Sequence, residues 1–343
     1  MKRFFCSCGA EIFFDNTICV RCGRLVGVDA EGCEMFTLKP KKNGLVAATV
    51  GYNTRYYRFC EHRSQESLGC NLLIREEDPS TQCVSCRLTR VIPDQSIPRN
   101  LVRWRTLESA KRRMVFNMYK NRLPFENRYQ NPVSGLCFDF LEDRRSNPSL
   151  MNDVVYTGHS NGVITVNAAE ADPQYRVTVR EEMNERYRTT LGHFRHEIGH
   201  YFWMRLIQGT KWEWSFRQLF GDHNEDYDAA LKRYYAEGPD PNWQENHISA
   251  YASMHPLEDW AETWAHYMHM NDTLETATAF KMLDVDIEHT EFNVVLNKWV
   301  ELTVIMNALN RSVGKPDAYP FILSSTVYKK LEYVRELIVA CRY

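Results

Sequence analysis

The chain has 343 residues, enough for two domains of ordinary size or one large domain with an attachment. Its 42 Lys and Arg against 44 Asp and Glu leave a formal net charge of −2, which excludes a generic polyanion binder, and 44% hydrophobic residues exclude intrinsic disorder. No apolar run approaches the roughly 18 residues needed to cross a bilayer, and Cys and Gly interrupt the stretch after Lys2 and Arg3, so neither a membrane span nor a secretory signal is expected.

The chain contains 11 Cys and 11 His. An odd cysteine count without an export signal points to thiolates holding metal in a reducing, cytoplasmic setting. Nine cysteines precede residue 87, and Pro93 and Pro98 follow, which places a boundary between a module at 1–95 and a domain at 96–343. Cys6, Cys8, Cys19 and Cys22 form two close pairs, each followed by Gly, the arrangement that grips a tetrahedral zinc in a zinc ribbon. Cys60, Cys70, Cys83 and Cys86 give a looser second set, with a strand expected over GYNTRYYRF before it. Cys33 is the spare, either packed or a replacement for Cys60 or Cys70. Four sulfurs leave no open position, so one to two structural zinc ions are expected here.

Beyond the boundary, residues 99–128 carry nine Lys and Arg against Glu108 and Glu126. Overall charge balance reads this as a solvated helix face, or one docked on an acidic surface of its own protein, and sets nucleic acid aside. Val154–Thr157 and Val163–Asn167 flank Asn161-Gly162, a favoured hairpin turn. A helix is then expected from Asp172-Pro173 to Gly209, with Met183, Tyr187, Leu191, Phe194 and Ile198 as its apolar stripe. It carries His196-Glu197-Ile198-Gly199-His200, which sets two imidazoles on one helix face, able to share a metal beside Glu197. A third histidine six residues on would mark a metzincin, but Leu206 stands there. Trp212 to Trp243 reads as a long, partly irregular connection able to carry substrate-selecting loops. Pro256 opens a second helix with Glu258 in its first turn, where the positive helix end keeps a carboxylate ionised. Glu262 follows one turn later, able to accept the spare N–H of a ligating histidine. His266 and His269 read as structural, and the chain after Phe292 as helices broken at Gly314-Lys-Pro316.

HExxH followed by E-x-x-A-E resembles the gluzincin metallopeptidases. The resemblance implies Glu258 as third zinc ligand, Glu262 as the residue that orients a histidine, and Tyr251 as donor to the oxyanion. It also implies that a strand before the active-site helix forms a sheet edge on which substrate pairs, with Val163, Ile164, Thr165 and Val166 as candidates. The zinc-ribbon start, RW-x-x-LE-x-AKRR, GLCFDFLED, ITVNAAEAD and EDWAETWAHY together resemble the bacterial zinc-ribbon-containing zinc-binding metallopeptidases. That family implies an α+β chain, with a zinc-ribbon module followed by a mainly helical zincin-like domain with a small β-sheet.

The expected activity is hydrolysis of peptide bonds in a protein or peptide substrate, with one catalytic Zn²⁺ and Glu197 as general base. The ribbon would serve a protein partner. Two other readings stay open: a non-catalytic zinc-ribbon interaction protein with a relic zincin domain, and a processor dedicated to one partner protein.

Overall fold

The computed structural model describes residues 2–64, 66–150, 154–182 and 189–342. The chain forms two compact units, Arg3–Val179 and Arg180–Arg342. Among the described residues, no helix is long and apolar enough to cross a membrane.

The first unit opens with a short antiparallel pair, β1 (Phe4–Phe5) and β2 (Glu11–Ile12). A five-stranded antiparallel sheet follows in sequential order: β3 (Val26–Asp29), β4 (Glu34–Pro40), β5 (Leu45–Val50), β6 (Asn53–Phe59) and β7 (Leu73–Arg75). Alternation puts Phe36, Leu38, Val46, Ala48, Tyr57 and Leu73 in one buried cluster, and the Tyr57 hydroxyl donates to buried Asp29 at 3.1 Å. β6 is the strand expected over GYNTRYYRF.

The same unit continues through β8 (Thr89–Val91) and α1 (Pro98–Lys120), begun by a proline at its first turn. The basic residues of α1 are spent within this unit. Arg103 pairs with Asp172 at 2.8 Å, Arg113 with Asp15, and Arg105 donates to the Ser67 carbonyl at 2.6 Å. Lys111 is fully buried against Glu108 at 2.8 Å. The docked-helix reading of residues 99–128 therefore holds, and little of this charge is offered to solvent.

A second sheet contains β8 together with β9 (Cys137–Leu141), β10 (Gly158–Ser160) and β11 (Val163–Asn167), in the order β10-β11-β9-β8. Asn161 and Gly162, with φ of 45° and 82°, make the hairpin turn between β10 and β11. Because that turn pairs Ser160 directly with Val163, the first strand of the hairpin is Gly158–Ser160, not the Val154–Thr157 expected from sequence. The position of β11 is a second correction. Val163, Ile164 and Thr165 pair with β10 on one side, and the whole strand, Val166 included, pairs with β9 on the other. β11 is thus an interior strand whose backbone groups are committed within the sheet, and the edges are β10 and β8. The unit's last element is α2, which begins at Pro173 and runs to Glu182.

The second unit is helical: α3 (Thr190–Leu206), α4 (Trp212–Phe220), α5 (Tyr227–Glu237), α6 (Trp243–Asn246), α7 (Pro256–Ala279), α8 (Phe292–Ser312) and α9 (Ser325–Cys341). The single helix expected over 173–209 is instead α2 and α3. Thr189 has an extended backbone, and its hydroxyl accepts the Gly192 N–H at 2.9 Å, capping a new helix. Leu191, Phe194 and Ile198 of the expected stripe lie on α3, while Met183 and Tyr187 fall outside the described residues. The partly irregular connection expected from Trp212 to Trp243 contains α4 and α5. Helix α3 packs along α7 around Phe194, Phe202, Trp260 and Trp264, all at most 1% exposed. From α9, Lys330 reaches buried Asp259 and the Asn246 carbonyl, fixing the start of α7.

Candidate metal centres

In the first unit, both cysteine sets close. The Cys6 and Cys22 sulfurs are 3.6 Å apart, Cys8 and Cys19 3.7 Å, Cys70 and Cys83 3.6 Å, and Cys70 and Cys86 3.8 Å. Four sulfurs bonded to one zinc at tetrahedral angles stand roughly 3.8 Å apart, and all eleven thiols are free of disulfides. Gly9 and Gly23 take positive φ of 83° and 71°, so the chain reverses after each pair as the Cys-Gly spacing requires. The Cys60 thiol is brought down to about 6, chiefly by its hydrogen bond with Cys70. Burial resists ionisation of Cys6, but the Thr37 hydroxyl and the Cys8 backbone lower it to about 6 as well. Cys33 stands outside both sets, donating to the Ala30 carbonyl at 3.4 Å, so Cys60 and Cys70 keep their places in the second.

Arg112 of α1 tests whether the second set suits a metal. The residue is 4% exposed, and its Nε and Nη1 have no hydrogen-bond partner. A buried, unpartnered guanidinium is very unfavourable unless charge faces it. Cys70, Glu108, Cys86 and Cys83 supply that charge, and they hold Arg112 above its ordinary value despite burial. A tetrathiolate zinc carries two net negative charges, which suits this environment.

The second unit brings together His196 and His200 from α3 and Glu258 from α7. The two histidine Nε2 atoms are 3.2 Å apart; Glu258 Oε2 lies 3.0 Å from His196 Nε2, and Oε1 lies 3.3 Å from His200 Nε2. Donors about 2 Å from a tetrahedral zinc stand roughly 3.3 Å apart, so the three side chains already have the spacing of a ligand set. His196 Nδ1 meets Glu262 Oε1 at 2.7 Å, which orients the ring so that Nε2 faces Glu258 and His200. Glu258 Oε2 accepts no hydrogen bond despite its nearness to that nitrogen. The three donors converge on one point, and the buried Glu258 Oε2 without a hydrogen-bond partner suits a cation there.

Glu258 sits in the first turn of α7, where His255 caps the helix by accepting the Leu257 N–H at 3.1 Å. Burial pushes its carboxyl up, but the two imidazoles outweigh this and hold it well below the usual carboxylate range. Glu262 is likewise held at about 2, against burial, by His196, and its Oε2 accepts from Ser249 at 2.7 Å. Glu197 is 7% exposed on the same helix as the two histidines. Tyr251 lies in a short 3-10 turn, Tyr251–Ser253, with its ring 6.3 Å from His196. His266 and His269 stay outside the donor set: His266 meets the Tyr319 hydroxyl at 2.7 Å, and His269 contacts Arg195.

One residue at this centre has no counterpart in the sequence reading. Tyr227, the first residue of α5, donates through its hydroxyl to Glu258 Oε1 at 3.0 Å. Asp226 before it is a recognisable helix cap, accepting the Ala229 N–H at 3.0 Å, but no local signal shows which carboxylate the capped residue reaches.

The helix crossing depends on Gly199. A Cβ there would lie 3.1 Å from the Ala261 Cα and 3.2 Å from Trp264, while Trp260 Nε1 donates to the Gly199 carbonyl at 2.8 Å. Gly199→Val should therefore force α3 and α7 apart, costing about 1–3 kcal/mol. A thermal melt checks this; an unchanged midpoint would show that the crossing has slack.

Comparison with known proteins matches residues 100–337 to a family described as "Putative zinc-binding metallo-peptidase" and residues 3–97 to one described as "zinc-ribbon domain". Uncharacterized proteins of Mycobacterium bovis and Mycobacterium tuberculosis are 36% identical over 347 residues, covering 98% of this chain and 95% of each relative. No solved structure matches the chain.

Proposed function

Since the chain belongs to this family of zinc-binding metallo-peptidases, we propose that it hydrolyses peptide bonds of a protein or peptide substrate at the His196–His200–Glu258 centre. The observation that carries the reading is the convergence of three donors, with the buried Glu258 Oε2 3.0 Å from His196 Nε2.

A zinc ion in this donor set supplies Lewis acidity toward a peptide carbonyl and lowers the pKa of a bound water to about 7. Glu197 takes the proton of the attacking water and passes it to the leaving amine. The Tyr251 hydroxyl donates to the tetrahedral oxyanion. Glu262 keeps the His196 ring in the tautomer that presents Nε2. The two cysteine sets hold structural zinc, and the ribbon recognises a protein partner. The free thiols suit a reducing compartment such as the cytoplasm.

Glu197→Gln tests the reaction. The variant should keep full metal content and lose hydrolysis, by at least the roughly 10²–10⁴-fold that general-base catalysis contributes. Peptide termini compared between cells making wild-type chain and cells making the variant should differ by a discrete set of cleavages. Identical termini would point to the non-catalytic alternative.

A further inference from the structure

We infer that Tyr227 is a positioning residue that assigns the two oxygens of Glu258, keeping Oε1 for itself and leaving Oε2 to the metal. The inference rests on the reading of this centre as a metal site. Its grounds are geometric. Each oxygen faces a histidine Nε2, Oε2 that of His196 at 3.0 Å and Oε1 that of His200 at 3.3 Å, but Oε1 alone accepts the Tyr227 hydroxyl, at 3.0 Å, while Oε2 is buried with no hydrogen-bond partner. A carboxylate with one oxygen engaged by a donor binds a small cation through the other, so the fourth coordination position stays open instead of being filled by a second oxygen.

Tyr227 is held for this task from three directions. Asp226 caps α5 and fixes its first turn. The Glu225 carbonyl, two residues back, accepts His255 Nε2 at 3.2 Å, and the Tyr227 ring packs edge-on to His255 with centroids 5.2 Å apart. His255 is also the N-cap of α7, so the start of α5 is tied to the helix end that carries Glu258.

The test uses Co²⁺ as a spectroscopic probe in the full chain. The absorption of Glu258→Ala, loaded only at its cysteine sites, is subtracted to isolate the histidine centre. Tyr227→Phe keeps the ring, which is 38% exposed, and loses only the hydroxyl. It should release cobalt to a chelator about 10–100-fold faster than wild type. Its d–d bands should weaken as the freed Oε1 joins the coordination sphere and raises the coordination number. Tyr234→Phe, on the same helix, should do neither. Wild-type release rate and spectrum in Tyr227→Phe overturn the inference while the metal centre stands. A wild-type chain that holds no more cobalt than Glu258→Ala overturns the reading of the centre, and this inference with it.

Discussion

Glu258→Ala should lose the metal at the histidine centre and keep metal at both cysteine sets, so metal analysis should find one ion fewer per chain. Glu258 is the one anion among the three donors, and it is 3% exposed. Its charge is held by the start of α7, whose positive end favours a carboxylate, and by the two imidazoles that keep it well below its ordinary range. Alanine removes the donor and leaves two imidazole nitrogens 3.2 Å apart with no anion beside them to balance a divalent cation. Loss of an outer partner of a metal ligand costs roughly 10–100-fold in affinity, and loss of the ligand itself should exceed that. Glu262→Gln is the graded comparison: the amide oxygen can still accept from His196 Nδ1, so metal should remain, bound more weakly. Equal metal content in wild type and Glu258→Ala would sink the assignment of this centre.

Cys83→Ser should empty the second cysteine set and unfold the sheet β3–β7. The Cys83 sulfur is fully buried, 3.6 Å from Cys70, and receives the Cys86 N–H at 3.4 Å. Zinc binding contributes an apparent 10–16 kcal/mol or so in zinc-finger peptides at neutral pH, as large as the whole stability of many domains. The apolar cluster of this sheet is small, built around Phe36, Leu38, Val46, Ala48, Tyr57 and Leu73. Arg112 would be left buried with only part of its facing charge. Amide exchange over residues 26–91 should speed up greatly, and metal content should fall by one. Cys33→Ser, outside both sets, should change neither. A Cys83→Ser chain with full metal and unchanged exchange would show that this set is packing alone.

The parts of the molecule that were legible in the sequence are those whose chemistry is local. His196 and His200 are four apart, and Pro256 announces the helix that brings Glu258 and Glu262. Each Cys pair announces half a metal site by its spacing and its following Gly. What escaped depends on pairing at a distance. The strand character of Val163–Asn167 is local, but its interior position is set by Cys137–Leu141, far upstream, and by the length of its own hairpin turn. The break between α2 and α3 follows from one cap, Thr189 on the Gly192 N–H, which an apolar stripe running through it conceals. Tyr227 escaped because its role is conferred by a residue 31 positions away.

Two helical pairs spaced by four residues, His196 with His200 and Glu258 with Glu262, generate the histidine centre where α3 crosses α7 at Gly199. Among the described residues, no connecting segment lends a metal ligand to it. A crossing of two rods has few adjustable quantities: separation, angle and slide, each pinned here by Gly199, Trp260 and Trp264. The segments that join the rods add orientation to this placement: Tyr227 donates to Glu258 and Ser249 to Glu262, each from outside the two rods. Placement and orientation of the polar groups therefore come from different parts of the chain. A change in those segments would turn the two carboxylates without displacing the helices that carry them.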